Sequence, residues 1–448
     1  MDLDLLTKLY AAHVADLDRR YGAALAAAGF DAVVIHSGSA KKRTEFDDQY
    51  WPLRPTPHFQ HWAPLVEADC ALVVSPGSPV RIVRPKATSF WEKPAETETD
   101  HWKSAIDVAM VDTPDDVKKH VPHGKRVAFV GEDRVRGTAW GFDDAAMNPT
   151  ALVHELDALR VTKTPYEVLC LAEANRRAAL GHEAVLVAFH AGDASELDLH
   201  LRYLGATSQD DPETPYKNIV ALGANASTLH HIAYQKAPRG RATESLLLDA
   251  GASYQGYCSD ITRTWVKGGD ATASAFAALV AGVDGMQRRL CAAVKIDEPY
   301  EALHDESHRQ VAIILREVGI AKASADELVA SGVTRALFPH GLGHSLGLQC
   351  HDVGCALVKP REENPFLRNT SNVSVGQCFT IEPGIYFIDA LLAPLRAGAN
   401  DAHIDWKLVD ALADLGGVRI EDDLVVVDAL PTTRNLTREH LPLGGGAL

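Results

Sequence analysis

Ser245-Leu246-Leu247-Leu248-Asp249-Ala250-Gly251 is an apolar run that ends in a carboxylate and a turn. Tyr257-Cys258-Ser259-Asp260-Ile261-Thr262-Arg263-Thr264-Trp265 follows it with a second carboxylate. Both runs read as strands, and the reversal from Gly251 to Gly256 joins them as a hairpin. A hairpin of this kind brings Asp249 and Asp260, eleven residues apart, to one face. Two more strand-like runs end in the same way. Cys378-Phe379-Thr380-Ile381 leads into Glu382 and the turn residues Pro383-Gly384, and Val418-Arg419-Ile420 leads into Glu421. Period-2 alternation puts Thr380 with Glu382, and Arg419 with Glu421, on common faces.

A carboxylate at the end of an apolar strand is costly to bury unless it is paired or binds a cation. Singly, Asp249 before Ala-Gly also suits a turn, and Glu421 in Glu-Asp-Asp also suits a solvated edge. Jointly, four converging carboxylates repel one another, and a pair of divalent ions relieves that repulsion. With His344 they form a hard, oxygen-rich set suited to Mn(II), Co(II) or Fe(II) rather than to a thiolate zinc site. His344 sits in His340-Gly341-Leu342-Gly343-His344, where Pro339 and two glycines favour a turn or irregular strand over a helix. His351-Asp352 comes seven residues later, and His230-His231 follows Leu229. In this company one histidine is expected to bind metal and others to face substrate.

Outward from this core, the second half reads as helices, strands, helices, strands. Pro165 opens a long helix running towards His190, and a second covers roughly 195–206. Strand signals lie at 218–222 and, after helices at about 272–295 and 300–317, at 336–349, 375–388 and 417–427. The order suggests two similar α+β halves folded together. The first half reads as α/β: a helical pattern from Leu5 to Leu25 ending at Gly29, then strands beginning with Ala32–His36. Asp47 to Pro64 reads as an ordered loop. The glycines 444–446 read as a frayed tail.

The chain has 448 residues, a net charge of -16, 46% hydrophobic and 23% charged residues, which describes a folded enzyme-sized protein of two or three domains. The acidic surface argues against nucleic acid and against anionic membranes as partners. No apolar run is long enough for a membrane helix, and the first residues lack a signal-peptide pattern. Seven scattered cysteines without a CxxC pair argue for reduced thiols and a cytoplasmic setting.

The motifs Leu247–Gly251, Ser259–Thr264, Pro339–His344, Thr380–Tyr386 and Gly417–Asp422 together resemble those of the pita-bread dinuclear metallopeptidases. Within that group the chain is most similar to bacterial Xaa-Pro dipeptidases (prolidases) and their organophosphorus acid anhydrolase relatives. Phe46-Asp47-Asp48 and Pro215–Leu222 extend the likeness to nearly the whole chain. The resemblance implies an α+β protein. A C-terminal pita-bread catalytic domain (159–448) would follow a smaller N-terminal α/β domain (1–158) with a mixed sheet, which serves dimerisation and the pocket rim. It implies two divalent ions per subunit, Mn2+ first and Co2+, Fe2+ or Zn2+ as alternatives. Asp249, Asp260, His344, Glu382 and Glu421 would bind them, with Asp260 and Glu421 bridging. Glu382 would be the general base, and His340 and His351 would stabilise the tetrahedral intermediate. His230, Tyr216, Arg368 and Arg419 would line the substrate pocket, with Arg368 on the proline carboxylate. Asp48 would reach a neighbouring active site across a homodimer interface. Lys41–Glu45 and Val353–Pro365 depart from the family pattern. The implied reaction is hydrolysis of Xaa-Pro dipeptides, with slow side activity on organophosphate esters. The alternatives are aminopeptidase P activity on longer peptides and a non-catalytic pita-bread binding module.

Overall fold

The computed structural model describes residues 2–86, 91, 93 and 96–448. The chain forms two compact units, residues 1–170 and 171–448. The first opens with helix α1 (Leu3–Ala28), whose N-terminus is capped by the Asp2 side chain. It ends at Gly29, where φ is 79°, a left-handed conformation glycine adopts without cost. Leu6, Tyr10, Val14, Leu17, Tyr21 and Leu25 form its buried stripe, at the spacing the sequence shows.

Five strands follow: β1 (Ala32–His36), β2 (Ala71–Val74), β3 (Arg81–Pro85), β4 (Asp107–Val111) and β5 (Val127–Val130). They make one sheet of order β4-β3-β2-β1-β5. The β1–β5 and β3–β4 pairs are parallel and the others antiparallel, so the sheet is mixed as expected. Between β1 and β2 the expected loop contains one short helix, Pro57–Gln60.

The second unit is built on a sheet of order β16-β10-β7-β6. Its strands are β6 (Ile219–Leu222), β7 (Glu244–Asp249), β10 (Thr262–Lys267) and β16 (Gly445–Ala447). Alternation along β7 divides the layers. Leu246 and Leu248 pack with Val185, Phe189, Leu199 and Tyr203 of α2 (Pro165–Ala191) and α3 (Glu196–Thr207). Leu247 packs the opposite way, with Tyr386, and Asp249 shares its side of the strand. A larger apolar cluster joins α4 (Ala271–Ala292) and α5 (Tyr300–Glu317) to Phe379, Ile381, Ile385, Ile420 and Leu424. Those residues belong to β11 (Cys378–Ile381), β12 (Gly384–Tyr386) and β14 (Asp422–Val426), and to the residue after β13 (Gly417–Arg419).

Three local expectations are corrected. Tyr257–Trp265 is not one strand: a small hairpin, β8 (Ser253–Tyr254) and β9 (Tyr257–Cys258), turns at Gln255-Gly256 with φ of 52° and 88°. The chain then leaves strand geometry at 259–261, because Ser259 Oγ accepts the Ala252 N–H at 2.9 Å. The stretch 336–349 is not a strand either. A short helix, Val333–Leu337, leads into irregular backbone with one bridge, Ser345 to Phe379. Gly343 lies so close to Thr380 that a Cβ would sit 2.2 Å from its carbonyl oxygen. The glycine tail is not frayed: β16 pairs in parallel with β10, and a Cβ at Gly445 would sit 1.8 Å from the Thr264 carbonyl oxygen. Among the described residues no helix is long and apolar enough to cross a membrane.

Burial holds several histidines neutral in the folded state. It lowers His182 and His308 to about 3, and His101 and His304 to about 4. An unfolded chain takes up protons at these groups near pH 6.5 while the folded chain does not. Stability is therefore expected to fall steadily as pH drops from about 6.5 towards 4. Urea midpoints measured between pH 7 and 5 check this; midpoints unchanged over that interval would contradict it.

Candidate metal centre and active site

The second unit holds a cavity of about 860 Å³ lined by Tyr216, His230, Asp249, Asp260, His340, His344, Cys350, His351, Arg368, Glu382, Arg419 and Glu421, among others. Thus every site residue expected from the sequence lines this cavity except Asp48, which is exposed in the first unit and accepts a hydrogen bond from Gln49 Nε2 at 3.2 Å.

Backbone pairing sets the carboxylates. Asp249 ends β7 opposite Thr262, which opens β10, and Thr262 also bridges to Glu421. The Glu382 N–H donates to the Leu342 carbonyl at 2.8 Å, and the Thr380 N–H donates to that of His344 at 2.9 Å. These bonds tie the histidine segment to β11.

Ligand-type atoms of Asp260, His344 and Glu421 lie within 4.8 Å of one another, all three residues buried. His344 Nε2 is 3.4 Å from Asp260 Oδ2 and 3.6 Å from Glu382 Oε1. Its Nδ1 is 3.1 Å from the Ser345 carbonyl, which can only accept. The proton therefore sits on Nδ1 when the ring is neutral, and the Nε2 lone pair faces the carboxylates. Asp249 shares the cavity but has partners for both oxygens: Arg419 Nη2 at 2.5 Å and the Tyr216 hydroxyl at 2.7 Å. Two lone pairs per oxygen leave it able to accept a cation as well.

Arg419 faces this shell. Besides Asp249 it donates to the Tyr386 hydroxyl at 2.9 Å and to Thr262 Oγ1 at 3.1 Å. Thr262 Oγ1 in turn donates to Glu421 Oε2 at 2.7 Å. Tyr386 hydrogen-bonds His340 Nε2 at 2.8 Å, and His340 Nδ1 donates to the Gly341 carbonyl at 2.8 Å. Both nitrogens of His340 are thus engaged. Burial, reinforced by Arg419, lowers this ring to about 3, so it is neutral. His351 is more open and packs edge-to-face on His344, with ring centroids 4.4 Å apart.

The electrostatics state the need for positive charge. Burial pushes Glu382 up to about 7. Burial, then repulsion from Asp260 and Glu382, pushes Glu421 well above the carboxylate range. Asp249 is raised by burial despite Arg419. Only Asp260 is lowered, its burial outweighed by His344, which its own burial disfavours but its acidic neighbours hold at about 9. Without a cation the cluster must retain protons to exist in one place. Oxygen-rich donors with one imidazole therefore fit divalent cations.

Sequence reasoning missed the support beneath Asp260. The Asp260 N–H donates to Asp423 Oδ2 at 3.0 Å, and Asn175 Nδ2 donates to the same oxygen at 2.8 Å. Thr437 Oγ1 donates to Asn175 Oδ1 at 2.7 Å. The Glu421-Asp422-Asp423 run is buried throughout, and Asp422 pairs with Arg263 at 2.9 Å and Arg438 at 2.7 Å. Asn175 sits in a helical pattern and carried no signal. Cys350, also missed, places Sγ 2.9 Å from Asp260 Oδ2.

Residues 170–428 match the model of metallopeptidase family M24, and residues 8–157 match that of the Xaa-Pro dipeptidase N-terminal domain. The chain is 38% identical to an Xaa-Pro dipeptidase of Pseudoalteromonas atlantica, over 97% of this chain and 98% of that protein. It is 40% identical to one of Pseudoalteromonas translucida, over 97% and 99%, and 40% identical to one of Marinobacter nauticus, over 96% and 98%. Among solved structures, Pseudomonas aeruginosa aminopeptidase PepP superposes with a TM-score of 0.73 at 22% identity, covering 96% of this chain and 95% of that one. Aminopeptidase P from E. coli with the inhibitor Pro-Leu gives 0.71 at 21%, covering 95% of each chain. These structures share the fold, which is the pita-bread architecture expected from the motifs.

Asn175→Leu removes the amide that orients Asp423 beneath Asp260. Loss of such a supporting group is expected to weaken divalent-ion binding about 10–100-fold. Equilibrium dialysis against Mn2+, with circular dichroism to verify folding, checks this; wild-type ion affinity in a folded variant would refute it.

Proposed function

The chain belongs to metallopeptidase family M24, and on that footing we propose that it is a prolidase, hydrolysing Xaa-Pro dipeptides with two divalent ions per subunit. The convergence of Asp260, His344, Glu382 and Glu421 in one cavity carries this reading, and the near-full-length likeness to Xaa-Pro dipeptidases supports it. Asp249, Asp260, His344, Glu382 and Glu421 would hold the ions. Mn2+ is the native ion on the hardness of the donor set, and Co2+, Fe2+ or Zn2+ substitute. When bound, the ions supply positive charge against the scissile carbonyl and make water in the site more acidic.

The rest is the work of the chain's own side chains. Glu382 takes the proton of the attacking water and passes it towards the departing imino nitrogen. His351, beside His344, contacts the carbonyl as negative charge develops, and His340 contributes once its bond to Tyr386 yields. Arg419 and Tyr216 hold Asp249 in place while they border the pocket. His230 lines the approach. Arg368, exposed at the cavity wall, receives the terminal carboxylate as a fork. An Xaa-Pro bond is a tertiary amide without an N–H, so recognition rests on that carboxylate rather than on a backbone donor. A longer peptide has no carboxylate at that position, which limits the enzyme to dipeptides.

We also propose slow side activity on organophosphate esters, because the acidified water of such a site attacks phosphorus as well as carbonyl carbon. We place the protein in the cytoplasm as a homodimer in which Asp48 of the partner subunit completes the pocket rim.

The decisive assay offers Ala-Pro, Ala-Pro-Ala, Ala-Ala and a paraoxon-type ester to the apo and Mn2+-loaded protein, with Asp260→Ala as control. Proline release from Ala-Pro alone among the peptides is expected, dependent on metal and abolished in the control. Equal cleavage of Ala-Pro-Ala would favour aminopeptidase P, and no turnover despite bound ions would favour a binding module. Ester hydrolysis no faster than a metal-only blank would remove the side activity. Sedimentation at micromolar concentration is expected to give twice the chain mass; a monomer alone would exclude the dimer.

A further inference from the structure

Cys350 lines the main cavity and has no part in the chemistry above. Of the seven cysteines it alone is not buried. Its place is set by the 345–352 loop. The Asp352 N–H donates to the Ser345 carbonyl at 2.9 Å, and the Gly347 N–H donates to that of Gln349 at 3.2 Å, so the loop closes on itself. The Cys258 N–H donates to the Gly347 carbonyl at 2.8 Å and ties the loop to β9. Closure returns His351 to the side of His344, with the two ring planes at 81°. Ligand-type atoms of His344, Cys350 and His351 then lie within 4.8 Å of one another. The Cys350 thiol also donates to Asp260 Oδ2 at 2.9 Å, so the sulfur borders the carboxylate cluster.

This set differs in kind from the oxygen-rich one. Two imidazoles and a thiol offer nitrogen and soft sulfur, which select thiophilic ions over Mn2+. Thiolate and imidazole donors bond a zinc-like ion at about 2.0–2.3 Å, so modest side-chain rotations bring the three donors onto one ion. The surrounding charge suits a cation. The four carboxylates of the cavity outnumber Arg368 and Arg419, and Lys217 is drawn off by Asp211 at 2.7 Å. His344 Nδ1 is engaged with the Ser345 carbonyl, so the ring enters either donor set through Nε2. We propose that His344, Cys350 and His351 form a soft-donor position, overlapping the hard centre through His344, that captures a thiophilic divalent ion of the Cd2+ type. On capture the thiol proton passes to solvent, and a sulfur–metal bond replaces the hydrogen bond to Asp260. Because His344 Nε2 cannot serve both sets at once, the captured ion competes with one held by the oxygen donors. A further consequence rests on the peptidase reading: capture also takes His351 from the carbonyl, so the ion inhibits turnover.

The test reads the sulfur directly, and so stands whether or not the peptidase reading holds. Mn2+-loaded protein is titrated with Cd2+ and followed by ultraviolet absorption. A thiolate-to-cadmium charge-transfer band is expected in the wild type and is expected to be lost in Cys350→Ser. A second measurement needs no variant, so it decides the matter even where Cys350→Ser fails to fold. A thiol-alkylating reagent is applied to the folded Mn2+-loaded protein, and labelling of Cys350 is read by peptide mass spectrometry. Added Cd2+ is expected to protect Cys350, and further Mn2+ is not. Absence of the band, a band retained in folded Cys350→Ser, or labelling of Cys350 unaffected by Cd2+ would overturn the position. Neither readout uses turnover, so their failure would leave the peptidase reading standing, and absence of turnover would leave them decisive.

Discussion

Four carboxylates brought into one buried cavity are the constraint on which the second unit depends. Asp249, Asp260, Glu382 and Glu421 each close or follow a strand or bridge whose other side chains lie in the apolar core. The strands cannot adopt their packing without delivering the acids to the same place. Mutual repulsion is therefore a cost of the fold itself, met by protons, by His344 and Arg419, or by cations. The cationic side chains are unequal to four charges, which is why the donor set is open towards the cavity.

Arg419 deserves its central position for a physical reason. A single guanidinium reaches Asp249, Thr262 and Tyr386 in one plane, and through Thr262 and Tyr386 it touches Glu421 and His340. Lysine has one point of charge and could not hold these three directions together. On the far side, Asp423 and Asn175 fix the backbone of Asp260 from below. The cavity is thus a ring of acids clamped from two sides by hydrogen bonds that come from distant parts of the chain.

What could be read beforehand follows from this arrangement. The acids were legible because each stands in or at the end of a strand-like run, a local pattern. The first helix and its Gly29 stop were legible for the same reason, since capping and periodicity are properties of neighbours. Asn175 was not, because nothing near it in sequence distinguishes it from any helical residue. Asp422 and Asp423 belong to a run that resembled a solvated edge, and the approach of Arg263, Arg438, Asn435, Asn175 and the Asp260 N–H from elsewhere makes their burial tolerable. Gly445 pointed to a loose end when read alone. Its meaning lies in the Thr264 carbonyl, against which no larger residue fits. The strand expected at 336–349 failed because glycine placed for close approach looks locally like glycine in an extended run.

The donor groups are spread from residue 249 to residue 421, on segments that meet only when the second unit has closed. Such non-local assembly is slow, since loop closure precedes any reward from contact. Ions held by these groups bind the closed chain and find no matching geometry in the open one, so loading adds to folding stability by mass action. Ion supply then governs more than turnover. In a cell short of the ion, molecules of this chain would linger longer in open forms, exposed to proteases, and abundance would fall alongside activity.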